Sequence, residues 1–280
     1  MSLIPDFFTE LPMQSKLRNR YLAVRKSLLP SSFSSRTTTI PRGATAAIAT
    51  CSTCILLALV FLVATLPYFG LLSVTFSIIM WVLIVTFILR NLRFHSHHTF
   101  GQANNVTTAR IGIAVVLAGF IPVAAELTSS PAWLWAITIS AAFALCVDGL
   151  DGYLARKTGL CSAFGARFDM ETDALLALVI TLLVWQSGTA GVWVLALGLM
   201  RYAFLAASMF LTPLRAPLFP SMRRKTVCVI QVGALCLMLC PWFTSAQVST
   251  IGMAALVCLV YSFFVDIVWL FSAPSRLPKP

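Results

Sequence analysis

Asp148, Asp151, Asp169, Glu171 and Asp173 are five of the nine acidic residues in a 280-residue chain, and they fall within 26 positions. The stretch reads DGLDGYLARKTGLCSAFGARFDMETD and lies between long apolar runs. Four of these acids keep helical spacing. Asp148, Asp151, Gly152, Ala155 and Arg156 stand at i, i+3, i+4, i+7 and i+8, and Gly165, Asp169 and Asp173 at i, i+4 and i+8. At about 100° per residue, each set shares one helical face. Glu171 points away from that face, so it is expected to meet solvent or make a structural contact. Two helices joined by a short connection pack antiparallel, which brings the two carboxylate pairs to one level. Four neighbouring carboxylates repel one another and partly protonate unless a cation joins them. Oxygen-only donors suit Mg²⁺ or Mn²⁺ better than zinc, and such ions commonly handle phosphates. Gly152 and Ala155 leave space for a ligand to approach the helix.

The elements that position these acids must be membrane helices. The chain is 59% hydrophobic and 10% charged, whereas a soluble domain is about a quarter charged. The fold class expected is an all-α integral membrane protein. An aspartate at the centre of a bilayer costs on the order of 3 kcal/mol, so the acids should face a wet cavity, a cation or each other. The net charge of +11 comes without a nucleic-acid-binding signature and fits loops facing an anionic cytoplasmic leaflet.

Eight apolar segments approach the roughly 20 residues a spanning helix needs. They cover about 44–66, 69–89, 106–126, 131–150, 165–186, 190–211, 227–245 and 249–271. Lys and Arg alternate between loops. Arg42 and six earlier basic residues precede the first span, Arg90, Arg93 and Arg110 follow the second, and Arg156, Lys157 and Arg167 follow the fourth. Arg215, Arg223, Arg224 and Lys225 follow the sixth, and Arg276 and Lys279 close the chain. The loops between carry none. By the positive-inside rule both termini and the acidic cluster are cytoplasmic, and a bacterial inner membrane is the expected compartment.

Residues 1–43 are basic and polar, and are expected as a disordered or interfacial segment. Cys51 and Cys54 form a CxxC, but no second CxxC or nearby histidine accompanies it, so both read as small buried hydrophobes. His95, His97 and His98 read as a solvated loop.

The string Asp148-x2-Asp151-Gly152-x2-Ala155-Arg156-x8-Gly165-x3-Asp169-x3-Asp173 resembles the full signature of the CDP-alcohol phosphotransferase (CDP-alcohol phosphatidyltransferase) family. Asn104-x2-Thr107-x2-Arg110 resembles the opening of the first core helix in phosphatidylglycerophosphate synthase-like members. The resemblance implies a six-helix core over 103–280, preceded by two additional membrane helices at 44–90 and a cytoplasmic linker at 91–102. It implies transfer of a phosphatidyl group from CDP-diacylglycerol to an alcohol, with release of CMP. Asp148, Asp151, Asp169 and Asp173 would surround two divalent cations, Mg²⁺ or Mn²⁺, and Asp173 would be the general base. Asn104, Thr107, Arg110, Gly152, Ala155, Arg156 and Gly165 would line the CDP site with Asp148 and Asp151. A homodimer among membrane lipids is implied by resemblance alone.

Arg201 lies inside the sixth span, where a charge needs a reason. With Arg215, Arg223, Arg224 and Lys225 it is the candidate for binding a phosphorylated acceptor such as glycerol 3-phosphate. The plainer reading of the last four is contact with lipid headgroups. Two rivals remain. Membrane prenyltransferases also use acids with Mg²⁺ and diphosphate, but place their motifs on non-adjacent helices. A non-enzymatic cation carrier would spread its acids through the membrane depth, whereas these gather at one level.

Overall fold

The computed structural model describes residues 41–92, 98–158, 163–215 and 221–271; the side chains of 149–158, 163, 212 and 215 lie outside that description. Among the described residues the chain is helical, with one isolated bridge between Arg42 and Thr99. In chain order the α-helices are α1 (Ala44–Thr65), α2 (Leu71–Asn91), α3 (Gln102–Ala118), α4 (Ala124–Leu127), α5 (Pro131–Thr158), α6 (Ala163–Gln186), α7 (Leu195–Phe210), α8 (Met222–Leu239) and α9 (Ser245–Phe271). A short 3-10 turn, Ile121–Val123, links α3 to α4, another, Val192–Val194, leads into α7, and a third, Thr212–Arg215, follows it.

A long helix thus stands at each of the eight expected apolar segments. Among the described residues six stretches are long and apolar enough to cross a membrane: Ala44–Thr65, Leu71–Asn91, Gln102–Leu127, Pro131–Asp148, Val192–Phe210 and Ser245–Phe271. Six of the eight expected spans meet that measure. Helices α6 and α8 fall outside the count because at least three charges enter the first half of each: Asp169, Glu171 and Asp173 in one, and Arg223, Arg224 and Lys225 in the other. The fourth helix runs beyond its apolar segment, as the helical spacing from Asp148 to Arg156 implies. α5 continues from the apolar stretch through Asp148 and Asp151 to Thr158, so hydropathy ends at the acids while the backbone helix does not.

Helix α3 is the centre of the fold. It packs against α1, α2, α5 and α6, and its buried residues include Asn104, Thr107, Thr108 and Arg110 as well as Ile111, Val115 and Leu117. Its polar side chains turn back on the helix itself. The Thr107 hydroxyl donates to the Ala103 carbonyl at 3.1 Å, and Thr108 to Asn104 at 2.8 Å. Such bonds satisfy hydroxyls where no water is at hand. Gly101, at φ 83°, turns the chain into α3 in the left-handed region that favours glycine.

Close approach depends on small residues, as is usual between membrane helices. A Cβ on Gly112 would come within 2.7 Å of the Cys51 sulfur on α1, and one on Gly198 of α7 within 3.0 Å of the Leu178 Cα on α6. Cys51 is buried, as expected, but Cys54 is exposed, and both thiols are free. The outward faces of α1 and α2 present Leu57, Val60, Leu71 and Leu83, the apolar surface a bilayer would cover. His98 is exposed; residues 1–40, His95 and His97 lie outside the described residues.

Candidate functional site: an acid cluster built on a buried arginine

Three elements meet at the site. α3 supplies Arg110, α5 supplies Asp148, and α6 supplies Asp169 and Asp173. Arg110 is 1% exposed, while the three aspartates retain 32%, 37% and 27% of their side-chain exposure. The guanidinium therefore forms the floor and the carboxylates the open rim.

Every face of that guanidinium is engaged. One terminal nitrogen lies 2.8 Å from Asp148 Oδ1 and 2.9 Å from Asp169 Oδ1. The other lies 2.5 Å from Asp173 Oδ1. Nε donates to the Ala144 carbonyl at 3.1 Å, one turn before Asp148 on α5. A planar fork with several donors can hold several carboxylates at once. One positive charge faces three negative ones, so the cluster keeps an excess of negative charge that favours a further cation.

The donor set fits such a cation. Asp148, Asp169 and Asp173 each offer an oxygen within 4.8 Å of the others. All three ligand atoms are hard oxygens, the preference of Mg²⁺ and Mn²⁺. The sequence expectation that the acids of α5 and α6 converge therefore holds for these three. Asp151, Gly152, Ala155 and Arg156 lie on the α5 helix, and their side chains fall outside the description. Gly165 lies in the first turn of α6. Asn104 and Thr107 are buried on α3, about two turns and one turn before Arg110. Arg110, expected at the CDP site, turns its guanidinium to the carboxylates.

The basic residues divide into two groups. Arg201 on α7 bonds Glu171 on α6 at 2.7 Å, so Glu171 makes the structural contact that its off-face position allowed. The Arg201 Nε is buried and has no hydrogen-bond partner among the described residues. Glu171 stands two residues from both Asp169 and Asp173 on α6, so its bond ties Arg201 to the helix that carries two of the acids. Arg223 is tied elsewhere. It donates to the Ser262 hydroxyl at 2.8 Å and to Asp266 on α9, and Arg224 lies 3.7 Å from the same carboxylate. Lys225 is exposed, and the Arg215 side chain is outside the description. Asp266 meets Arg223 and Arg224 through the rotation of α9 against α8.

A sequence model of CDP-alcohol phosphatidyltransferase matches residues 100–267. The match covers well over half of the chain, begins just before α3 and ends within α9, and contains all the residues of the acid cluster. The chain belongs to this family, and the family identifies it as a membrane transferase acting on a CDP-alcohol. Helices α1 and α2 precede the matched stretch. No curated protein matches the chain, and no solved structure matches it.

Proposed function

We propose that the protein transfers a phosphatidyl group from CDP-diacylglycerol to a phosphorylated polyol such as glycerol 3-phosphate, releasing CMP. The observation that carries this reading is the convergence of Asp148, Asp169 and Asp173 around Arg110, inside the stretch that matches the family. Asp148, Asp169 and Asp173, together with Asp151, would hold two Mg²⁺ or Mn²⁺ ions. Bound there, the ions would supply charge neutralisation to the donor diphosphate.

The chain's own residues do the rest. Asp173 accepts the proton of the acceptor hydroxyl. The freed oxygen attacks the lipid-side phosphorus, a new P–O bond forms, and the P–O bond to CMP breaks. Arg110 holds the three carboxylates in register from below, and acts on the reaction through them. Asn104, Thr107, Gly152, Ala155, Arg156 and Gly165 line the nucleotide side. Arg201 takes the acceptor phosphate, supported by its unmet Nε and by its bond to Glu171 on the helix that carries Asp169 and Asp173. Arg215, Arg223, Arg224 and Lys225 form the basic rim, with Arg223 held by Asp266. The site faces the cytoplasm of a bacterial inner membrane, the side set by the alternation of Lys and Arg, and the enzyme works as a homodimer.

The test offers the purified chain Mg²⁺ or Mn²⁺, CDP-diacylglycerol and a panel of alcohols, and measures CMP. Release should depend on the acceptor and be greatest with a phosphorylated polyol. Release greatest with an unphosphorylated alcohol would overturn the acceptor class.

A further inference from the structure

On the far side of α3 from Arg110, a cleft of about 1030 Å³ runs between α1, α3 and α5. Its size is at the upper end of the roughly 300–1,000 Å³ of small-molecule sites. α1 lines it from Gly43 to Leu62 and α3 from Asn105 to Phe120. At about 1.5 Å per residue that is more than 20 Å of depth, most of a roughly 30 Å hydrocarbon core. Ala46, Thr50, Cys54 and Ala58 stand one turn apart along α1 and keep the cleft open, while Trp133 and Phe143 of α5 close its opposite wall. An apolar recess of this kind does not hold water. In a bilayer it must be filled by hydrocarbon.

A charge stands next to one end of the cleft: Arg42, the chain neighbour of the lining residue Gly43, is exposed. The backbone there is fixed, since the Arg42 N–H donates to the His98 carbonyl at 2.8 Å and its carbonyl accepts from Phe100 N–H at 3.1 Å. Among the described residues no carboxylate pairs with Arg42, and the first turn of α1 contains no acid. A cation beside the end of a deep apolar cleft complements a phosphate carried on acyl chains. A packing helix from another chain would have no use for that charge.

We propose that this cleft binds one anionic glycerophospholipid, separate from the reaction site, with its acyl chains between α1, α3 and α5 and its phosphate at Arg42. One wall is α1, which lies outside the family-matched stretch, so the site is an addition to the catalytic core. The proposal rests on the cleft and on the charge of Arg42, and not on the transferase reading.

Native mass spectrometry of the full chain, exchanged from detergent into dioleoyl phosphatidylglycerol or dioleoyl phosphatidylcholine, tests it. The wild type should retain one phosphatidylglycerol adduct in preference to phosphatidylcholine. Arg42→Gln should lower that preference about fivefold, the factor a single surface cation contributes. Ala58→Trp and Cys54→Phe, which fill the cleft, should each lose the adduct, while Val60→Trp on the outward face of α1 should keep it. Two filling variants are included so that one failing to fold leaves the other, and Arg42→Gln leaves the packing untouched. Equal retention of the two lipids by the wild type would overturn the proposal. So would an undiminished adduct in the filled variants, or loss of a second protein copy in place of a lipid.

Discussion

Arg110 on α3 lies between Asp148 on α5 and the pair Asp169 and Asp173 on α6, at 2.8 Å from the first and 2.9 and 2.5 Å from the other two. A single buried guanidinium therefore ties three helices together at the place where the acids converge. Breaking a fully buried ion pair costs about 3–5 kcal/mol. The acids here keep about a third of their exposure, so Arg110→Met should cost at least about 2 kcal/mol, read by thermal unfolding in detergent. The same variant leaves the carboxylates with more uncompensated charge. Added Mg²⁺ should therefore raise its unfolding temperature by more than it raises that of the wild type. An equal rise in both would show that Arg110 and the metal do not share the cluster.

Asp173 is assigned the proton. A positioned general base contributes about 10²–10⁴-fold, so Asp173→Asn should lower turnover within that range while binding of CDP-diacylglycerol persists. Equilibrium binding of the donor, measured beside CMP release, separates the two effects. Turnover equal to wild type would remove Asp173 from the chemistry.

The spacing of the acids was legible because a helix turns about 100° per residue whatever surrounds it. Asp148, Asp169 and Asp173 could thus be placed on facing helices from sequence alone. The position of Arg110 was not legible. Its partners stand 38, 59 and 63 residues away on two other helices, and only the packing of α3 into the centre brings it to them. The end of α5 was legible in the helical spacing through Arg156 and not in hydropathy. Hydropathy reports what lipid will cover, and it falls off at Asp148, while the backbone stays helical to Thr158. Glu171 and Asp266 show the same limit, because each meets its arginine through the rotation of one helix against another.

Arg201 is assigned the acceptor phosphate. Arg201→Gln should raise the KM for a phosphorylated acceptor about tenfold, the weight of one charge-assisted hydrogen bond. The KM for the lipid donor should stay near wild type. Steady-state titration of each substrate makes the comparison, and an equal rise in both would return Arg201 to a structural role with Glu171.

Asp266 fastens α8 to α9 through Arg223, with Ser262 beside it. Asp266→Asn should cost about 2 kcal/mol, the scale of a hydrogen bond to a charged group, in thermal unfolding. Activity of the folded fraction should be largely retained. A loss of turnover without a loss of stability would move Arg223 from the rim into the reaction site.

The central claim is that the aspartates of α5 and α6 hold a divalent cation against the nucleotide-activated lipid. Its most direct test is CMP release from CDP-diacylglycerol by the purified chain, first with chelator, then with Mg²⁺ or Mn²⁺ restored, beside Asp169→Asn. Release should stop on chelation, return with the ion, and stay low in Asp169→Asn at every ion concentration. Acceptor-dependent release that continues at full rate in chelator would contradict it.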